Sequence, residues 1–226
     1  MNLLCGIMGV ICTFDGNISL AFGCMLLASV FDFTDGLAAR LLHAYSDVGK
    51  ELDSLSDMVS FGVLPSLMLL VTMRMHGCSG WPCYLPLFLA VMSGLRLAKF
   101  NVDERQGTDF IGVATPTSAI ICGSLCYLIA HEPTLLVSRW AGSVWFLPLV
   151  AITLGLLLVS EFPMFGMKVA PGHKLLDSKR IAFLGLAVAA IGLTAAFRLN
   201  LSLAVLLVFL IYIAENLLLF IARPRR

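Results

Sequence analysis

The feature that most constrains this chain is a succession of apolar runs with very little between them. Eight runs are read as helices, at approximately 2–14, 18–45, 47–75, 83–101, 113–131, 143–162, 180–198 and 200–222. The connections are short and carry the turn formers Asp15-Gly16-Asn17, Gly77 to Pro82, Pro133 and Pro171-Gly172. A membrane crossing takes about 20 apolar residues, and all the runs but the first come near that length. Composition identifies the solvent. Hydrophobic residues make up 59% of the chain, charged residues 13%, and the mean hydropathy is +0.95. A soluble domain carries about 25% charged residues, so this chain cannot cover itself with polar surface and its exterior must face lipid. The expected fold is all-α, a polytopic transmembrane helical bundle of about eight helices, forming a single membrane domain over residues 1–226.

Basic residues orient it. With both termini cytoplasmic, the inner side receives Arg40, Lys50, Arg96, Lys99, Arg105, Lys168, Lys174, Lys179, Arg180, Arg223, Arg225 and Arg226, and the outer side only Arg74, Arg139 and Arg198. That asymmetry follows the positive-inside rule. The net charge of +1 argues against a nucleic-acid partner. No basic region precedes the first apolar run and no small-residue cleavage site follows it, so no cleaved leader is expected. The first run, Leu3 to Phe14, is too short to span a bilayer, which points to a short helix or to a chain start inside a longer one. The seven cysteines follow no metal-ligand spacing. They are read as buried thiols, although Cys78 and Cys83 share a connection and could pair.

Charge inside such helices needs a reason. Asp32 and Asp35 stand at i and i+3, and Asp53 and Asp57 at i and i+4, so each pair shares one helix face. A connection near His43 to Val48 lets the two helices pack antiparallel and brings both pairs to one depth. Four carboxylates there repel and are costly to desolvate unless protonated, paired or bound to cations. Oxygen-only ligands suit hard divalent ions such as Mg²⁺, Mn²⁺ or Ca²⁺. Two such ions would clamp a pyrophosphate for in-line displacement. The histidines and cysteines form no zinc set. Gly36 and Ala39 remove bulk from the aspartate face, and Arg40 could receive phosphate oxygens or pair with an aspartate.

The pattern D-x-x-D-G-x-x-A-R, then eight residues, then G-x-x-x-D-x-x-x-D, runs from Asp32 to Asp57. It resembles the signature of the CDP-alcohol phosphotransferase family at all eight positions. The resemblance implies that Asp32, Asp35 and Asp53 are metal ligands, and that Asp57 ligates a second Mg²⁺ or Mn²⁺ ion and acts as general base. It also implies that Gly36, Arg40 and Ser46 contact the CDP moiety, while Ala39 and Gly49 make room for it. The catalytic core would lie at about 18–131, with the active site at the cytoplasmic face of the cell (inner) membrane, and the protein would be a homodimer. The family also has a stretch before Asn2 that helps close the nucleotide site.

Further blocks bear on the acceptor. Ser54 to Pro65, Leu95 to Asn101, Phe110 to Pro116 and Val159 to Phe165 are similar to the continuation seen in membrane-spanning phosphatidylserine synthases. Lys99, Leu64 and Ala114 depart from that pattern, which more often has arginine, alanine and proline there. The resemblance implies CDP-diacylglycerol and L-serine as substrates, with membrane lipid as surroundings. Arg96 and Lys99, at i and i+3, are candidate partners for the serine carboxylate, and Asn101 could supply an amide. The same bases could instead be positive-inside anchors. Two other readings compete: the same chemistry with glycerol 3-phosphate or an inositol phosphate, and a divalent-cation transporter using the aspartates as its binding site. The second explains the carboxylates but not Gly36, Ala39, Arg40 and Gly49.

Overall fold

A computed structural model describes residues 1–42, 46–102, 110–141, 143–161, 163–164, 185–189, 191–192, 194 and 200–221. Helix α1 (Asn2–Phe14) turns at Asp15-Gly16-Asn17 into α2 (Ile18–Leu41). Gly16 takes φ +75°, the left-handed conformation open to glycine, and Asn17 Oδ1 accepts the Leu20 N–H at 3.1 Å. The α1–α2 hairpin packs closely because α1 carries small residues. A Cβ placed on Gly9 would lie 3.3 Å from Cys24 Cβ on α2, and only 2.6 Å from Leu64 Cδ2 on a later helix, so glycine permits both approaches, as small residues do between membrane helices.

Helix α3 (Asp47–Asp57) passes without a break into a π-helical segment (Met58–Val63) and then α4 (Leu64–Met75). Pro65 explains the widened turn. In an unbroken α-helix its ring would clash with the carbonyl four residues back and its missing N–H would leave that carbonyl unpaired. Here the ladder widens just before it, with the Leu64 N–H bonding the Val59 carbonyl, and Ser66 Oγ donates to the Gly62 carbonyl at 2.7 Å. This helix is the axis of the bundle: 61% of its apolar window is buried, against 28% for Ile18–Ala39 and 33% for Trp81–Val102. Phe61, Leu64, Met68, Leu69 and Met73 are fully buried along it, beside Met25, Leu89 and Leu128.

A turn with Gly77 and Gly80 at φ +87° leads into a 3₁₀ segment (Trp81–Leu87) and α5 (Phe88–Val102). Strand β1 (Phe110–Ile111) pairs antiparallel with β2 (Pro163–Met164). Between them run α6 (Thr115–His131), a short α7 (Leu136–Trp140) and α8 (Phe146–Val159); α9 (Leu201–Ile221) follows. Gly112, at φ +74°, seats the first strand against α8, since a Cβ there would lie 2.7 Å from the Leu158 carbonyl.

Among the described residues, four segments are long and apolar enough to cross a membrane: Ile18–Ala39, Asp47–Met75, Trp81–Val102 and Leu201–Leu218. Helices α1 and α8 are apolar but shorter. Leu20, Leu27, Val30, Phe33 and Val91 stay exposed, an apolar exterior suited to lipid. The helix expected over 180–198 falls largely outside the described residues, as do residues 43–45 at the end of the second expected helix, and α7 was not foreseen. The sulfurs of Cys78 and Cys83 come within 3.0 Å as free thiols.

Candidate active site

Four chain segments meet at one end of the bundle: the end of α2, the whole of α3, the end of α5 and the start of α1. Ser46 begins α3. Its backbone is extended (φ −144°, ψ 149°) and its Oγ accepts the Gly49 N–H at 3.0 Å, a side-chain N-cap. Asp47 in the first turn complements the helix dipole. A Cβ on Gly49 would lie 2.9 Å from Ser46 Oγ, so the glycine lets the cap close. This local chemistry starts the helix that carries Asp53 and Asp57, and both Ser46 and Gly49 are engaged in it.

The aspartates converge as their spacing predicts. Carboxylate oxygens of Asp32, Asp35 and Asp53 all lie within 4.8 Å of one another, and Asp32 is also within interaction range of Asp57. Oxygens bound to a single Mg²⁺ or Ca²⁺ sit about 2.0–2.6 Å from it, hence at most roughly 5 Å apart. The donor set therefore fits a hard divalent cation. Asp35 and Asp53 are exposed, and Asp32 and Asp57 half-buried, so the cluster opens to solvent on one side and is anchored in the bundle on the other.

The residues read as shaping a nucleotide site follow on α2. Gly36 is half-buried, yet among the described residues no atom lies within 4 Å of where its Cβ would be. That is open space beside the carboxylates. Ala39, one turn on, is half-buried. The Arg40 side chain lies outside the described residues.

Of the bases on α5, Arg96 is buried, with 9% of its surface exposed. Its Nη1 donates to Thr115 Oγ1 at 3.3 Å, its guanidinium lies 5.5 Å from the Phe100 ring centre, and its buried Nε has no hydrogen-bond partner among the described residues. It acts electrostatically on Asp57. Lys99 is exposed. Asn101 faces α3: its amide donates to Ser54 Oγ at 2.9 Å, and its carbonyl accepts the Lys50 ammonium at 3.0 Å. Asn101 thus ties α5 to the helix of Asp53 and Asp57.

One site residue escaped the sequence reading. Asn2, at the head of α1, donates Nδ2–H to Asp57 Oδ1 at 3.0 Å, and its carbonyl accepts the Ser60 hydroxyl at 3.2 Å. Its only sequence signal is a polar residue opening an apolar run. Its partner is 55 residues away, beyond any periodicity argument.

Comparison with known proteins adds to this geometry. The family model for CDP-alcohol phosphatidyltransferase matches residues 1–159. The CDP-diacylglycerol–serine O-phosphatidyltransferase of Mycobacterium bovis is 33% identical over 171 residues, which cover 73% of this chain and 58% of that protein. The enzyme of the same name from Bacillus subtilis is 34% identical over 141 residues, covering 62% of this chain and 78% of that protein. An archaetidylserine synthase of Methanothermobacter thermautotrophicus is 35% identical over 133 residues, covering 55% and 53% respectively. The chain thus spans little more than half the length of the mycobacterial relative.

Proposed function

Because the chain belongs to the CDP-alcohol phosphatidyltransferase family, we propose that it transfers the phosphatidyl group of CDP-diacylglycerol to the hydroxyl of L-serine, releasing CMP. The observation that carries this reading is the meeting of two carboxylate pairs beside an open helix face. Asp32, Asp35 and Asp53 lie within 4.8 Å of one another, and Gly36 leaves space next to them. The relatives named for serine transfer support the acceptor.

The residues divide the work as follows. The donor pyrophosphate lies over the aspartates, with cytidine along the face of Gly36, Ala39 and Arg40 and the turn at Ser46 and Gly49. Two divalent ions, Mg²⁺ or Mn²⁺, held by Asp32, Asp35, Asp53 and Asp57 would neutralise the pyrophosphate and the departing CMP. Asp57 takes the proton of the serine hydroxyl. The hydroxyl oxygen forms its bond to the phosphorus that carries diacylglycerol, and the bond from that phosphorus to the CMP oxygen breaks. Catalysis of this kind is positioning and electrostatics. Arg96 is the proposed partner of the serine carboxylate, with Lys99 and Asn101 at its edge. Burial favours Arg96 for that role, because a charge interaction is stronger away from water.

The remaining assignments belong to the same proposal. The basic-residue asymmetry supports an inner-membrane protein with cytoplasmic termini and a cytoplasmic active site, into which the liponucleotide enters from the inner leaflet. The whole chain forms one domain with its core at about 18–131, and it works as a homodimer. The decisive test gives purified protein CDP-diacylglycerol, Mn²⁺ and a panel of labelled alcohols. Metal-dependent CMP release with labelled phosphatidylserine is expected. A product formed only with glycerol 3-phosphate or an inositol phosphate would overturn the acceptor, and metal flux in liposomes without CMP release would favour transport.

A further inference from the structure

Asn2 is a costly residue for its position. It retains 2% of its exposure, and its Oδ1 is buried with no hydrogen-bond partner among the described residues. An amide half satisfied in an apolar setting is less favourable than a leucine of nearly the same shape. Packing alone does not account for it. What the amide does accomplish is a single hydrogen bond, Nδ2–H to Asp57 Oδ1 at 3.0 Å. A carboxylate acceptor also settles which way the amide points, since the nitrogen end must face it.

The placement of Asn2 is built in from both sides. Its carbonyl is held by the Ser60 hydroxyl at 3.2 Å. One turn on, Gly6 brings α1 onto the backbone of Ser60, where an added Cβ would collide with the serine. Ser60 lies in the π-helical segment that starts at Met58, the residue after Asp57. The head of α1 is therefore locked onto the stretch that presents Asp57. A neutral donor there engages one carboxylate oxygen and introduces no cation to compete for the other.

We propose that Asn2 is a positioning residue for Asp57: its amide N–H fixes one carboxylate oxygen and so orients the other toward the acceptor hydroxyl. The inference rests on the reading of Asp57 as general base. It assigns to the first helix a part in the chemistry that lies outside the aspartate signature.

The test is Asn2→Leu, which keeps the shape and deletes the donor, compared with Ser60→Ala, which loosens the strap on the Asn2 carbonyl and leaves the amide intact. In Asn2→Leu, kcat for CMP release falls about a hundredfold, the loss typical of a misplaced reacting group. KM values for donor and acceptor stay within about threefold, because the lost contact serves the reacting carboxylate and not substrate binding. The thermal midpoint in detergent holds or rises, since an unsatisfied buried atom has gone. Ser60→Ala keeps kcat within about twofold. Asn2→Asp, isosteric but without an N–H, loses kcat as Asn2→Leu does; it serves as the second variant should the leucine protein misfold. Full kcat in either Asn2 variant overturns the proposal. So does a Ser60→Ala loss equal to that of Asn2→Leu, which would mean that docking of α1 is all that matters. Wild-type protein that releases no CMP with any alcohol overturns the functional reading first and the positioning role with it.

Discussion

Arg96 donates from Nη1 to Thr115 Oγ1 at 3.3 Å, joining the last turns of α5 to the first residue of α6. These two residues belong to separate sequence blocks, and the bundle brings them together beside Asp57. At 9% exposure, the guanidinium keeps an Nε without a hydrogen-bond partner among the described residues, a donor open to the acceptor carboxylate proposed above.

That arrangement predicts a selective effect in Arg96→Lys. The charge remains but the planar fork is lost. KM for serine is expected to rise about tenfold, equivalent to about 1.4 kcal/mol, while KM for the liponucleotide changes little. Initial rates with each substrate varied in turn measure this. An equal rise in both constants would remove Arg96 from the acceptor site.

The aspartates should separate by role. Asp57→Asn is expected to lose at least about a thousandfold in kcat and to retain much of the donor binding, as removal of a general base does. Asp35→Asn instead replaces one of the three charged oxygens that lie within 4.8 Å by a neutral, weaker amide oxygen. Its Mn²⁺ affinity should drop by about tenfold or more, read by titration of the purified protein in detergent. Full turnover in Asp57→Asn would refute its role as base.

Two glycines give opposite predictions. At Gly36 a Cβ meets nothing within 4 Å, so Gly36→Ala should keep or raise stability by up to about 1 kcal/mol through helix propensity. Its donor KM should nevertheless rise, because the methyl group enters the space assigned to the nucleotide. At Gly9 a Cβ would come within 2.6 Å of Leu64, and Gly9→Ala should cost about 1–3 kcal/mol by overpacking. Thermal midpoints and donor titrations on both variants distinguish the two kinds of glycine.

Thiol labelling tests the opposite end of the bundle. The neighbouring Cys83 sulfur and burial push the Cys78 thiol above its ordinary value. Less of it is therefore thiolate at pH 8 than in an ordinary cysteine, and thiolate is the reactive form. Alkylation of Cys78 in the folded protein should be slow at pH 8 and level off only at a higher pH than that of a model thiol. Mass spectrometry of labelled peptides follows this, with denatured protein as the fast reference.

Much of the site could be read without coordinates because its spacing is local. Asp32 with Asp35, and Asp53 with Asp57, share faces by helical geometry alone, and the carboxylates do converge. Ser46 and Gly49 were legible as a motif, but their bond to one another, an N-cap at 3.0 Å, is a second use that a signature does not reveal. The sequence offers Asn101 as an amide for the acceptor; that its side chain bonds Ser54 and its backbone carbonyl accepts from Lys50 is visible only in the fold. Asn2 was invisible for the same reason that Arg96 and Thr115 were not linked: tertiary packing, and not periodicity, makes these pairs. Pro65 is plain in the sequence, but whether the backbone kinks or widens before it depends on packing around it.

The widened turn at Met58–Val63 has a consequence for how this helix can change. It acts as a phase adjuster between two patterns written on one rod, the carboxylate pair before it and the buried stripe of Leu64 and Met68 after it. Each residue of an α-helix turns the rod by about 100°. Deleting one residue between 58 and 63 would restore a regular ladder while rotating the aspartates away from α2, leaving the apolar stripe in register with its neighbours. Such a chain would keep a well-packed membrane bundle and lose its metal cluster, so insertions and deletions in this short stretch act on chemistry and spare the fold.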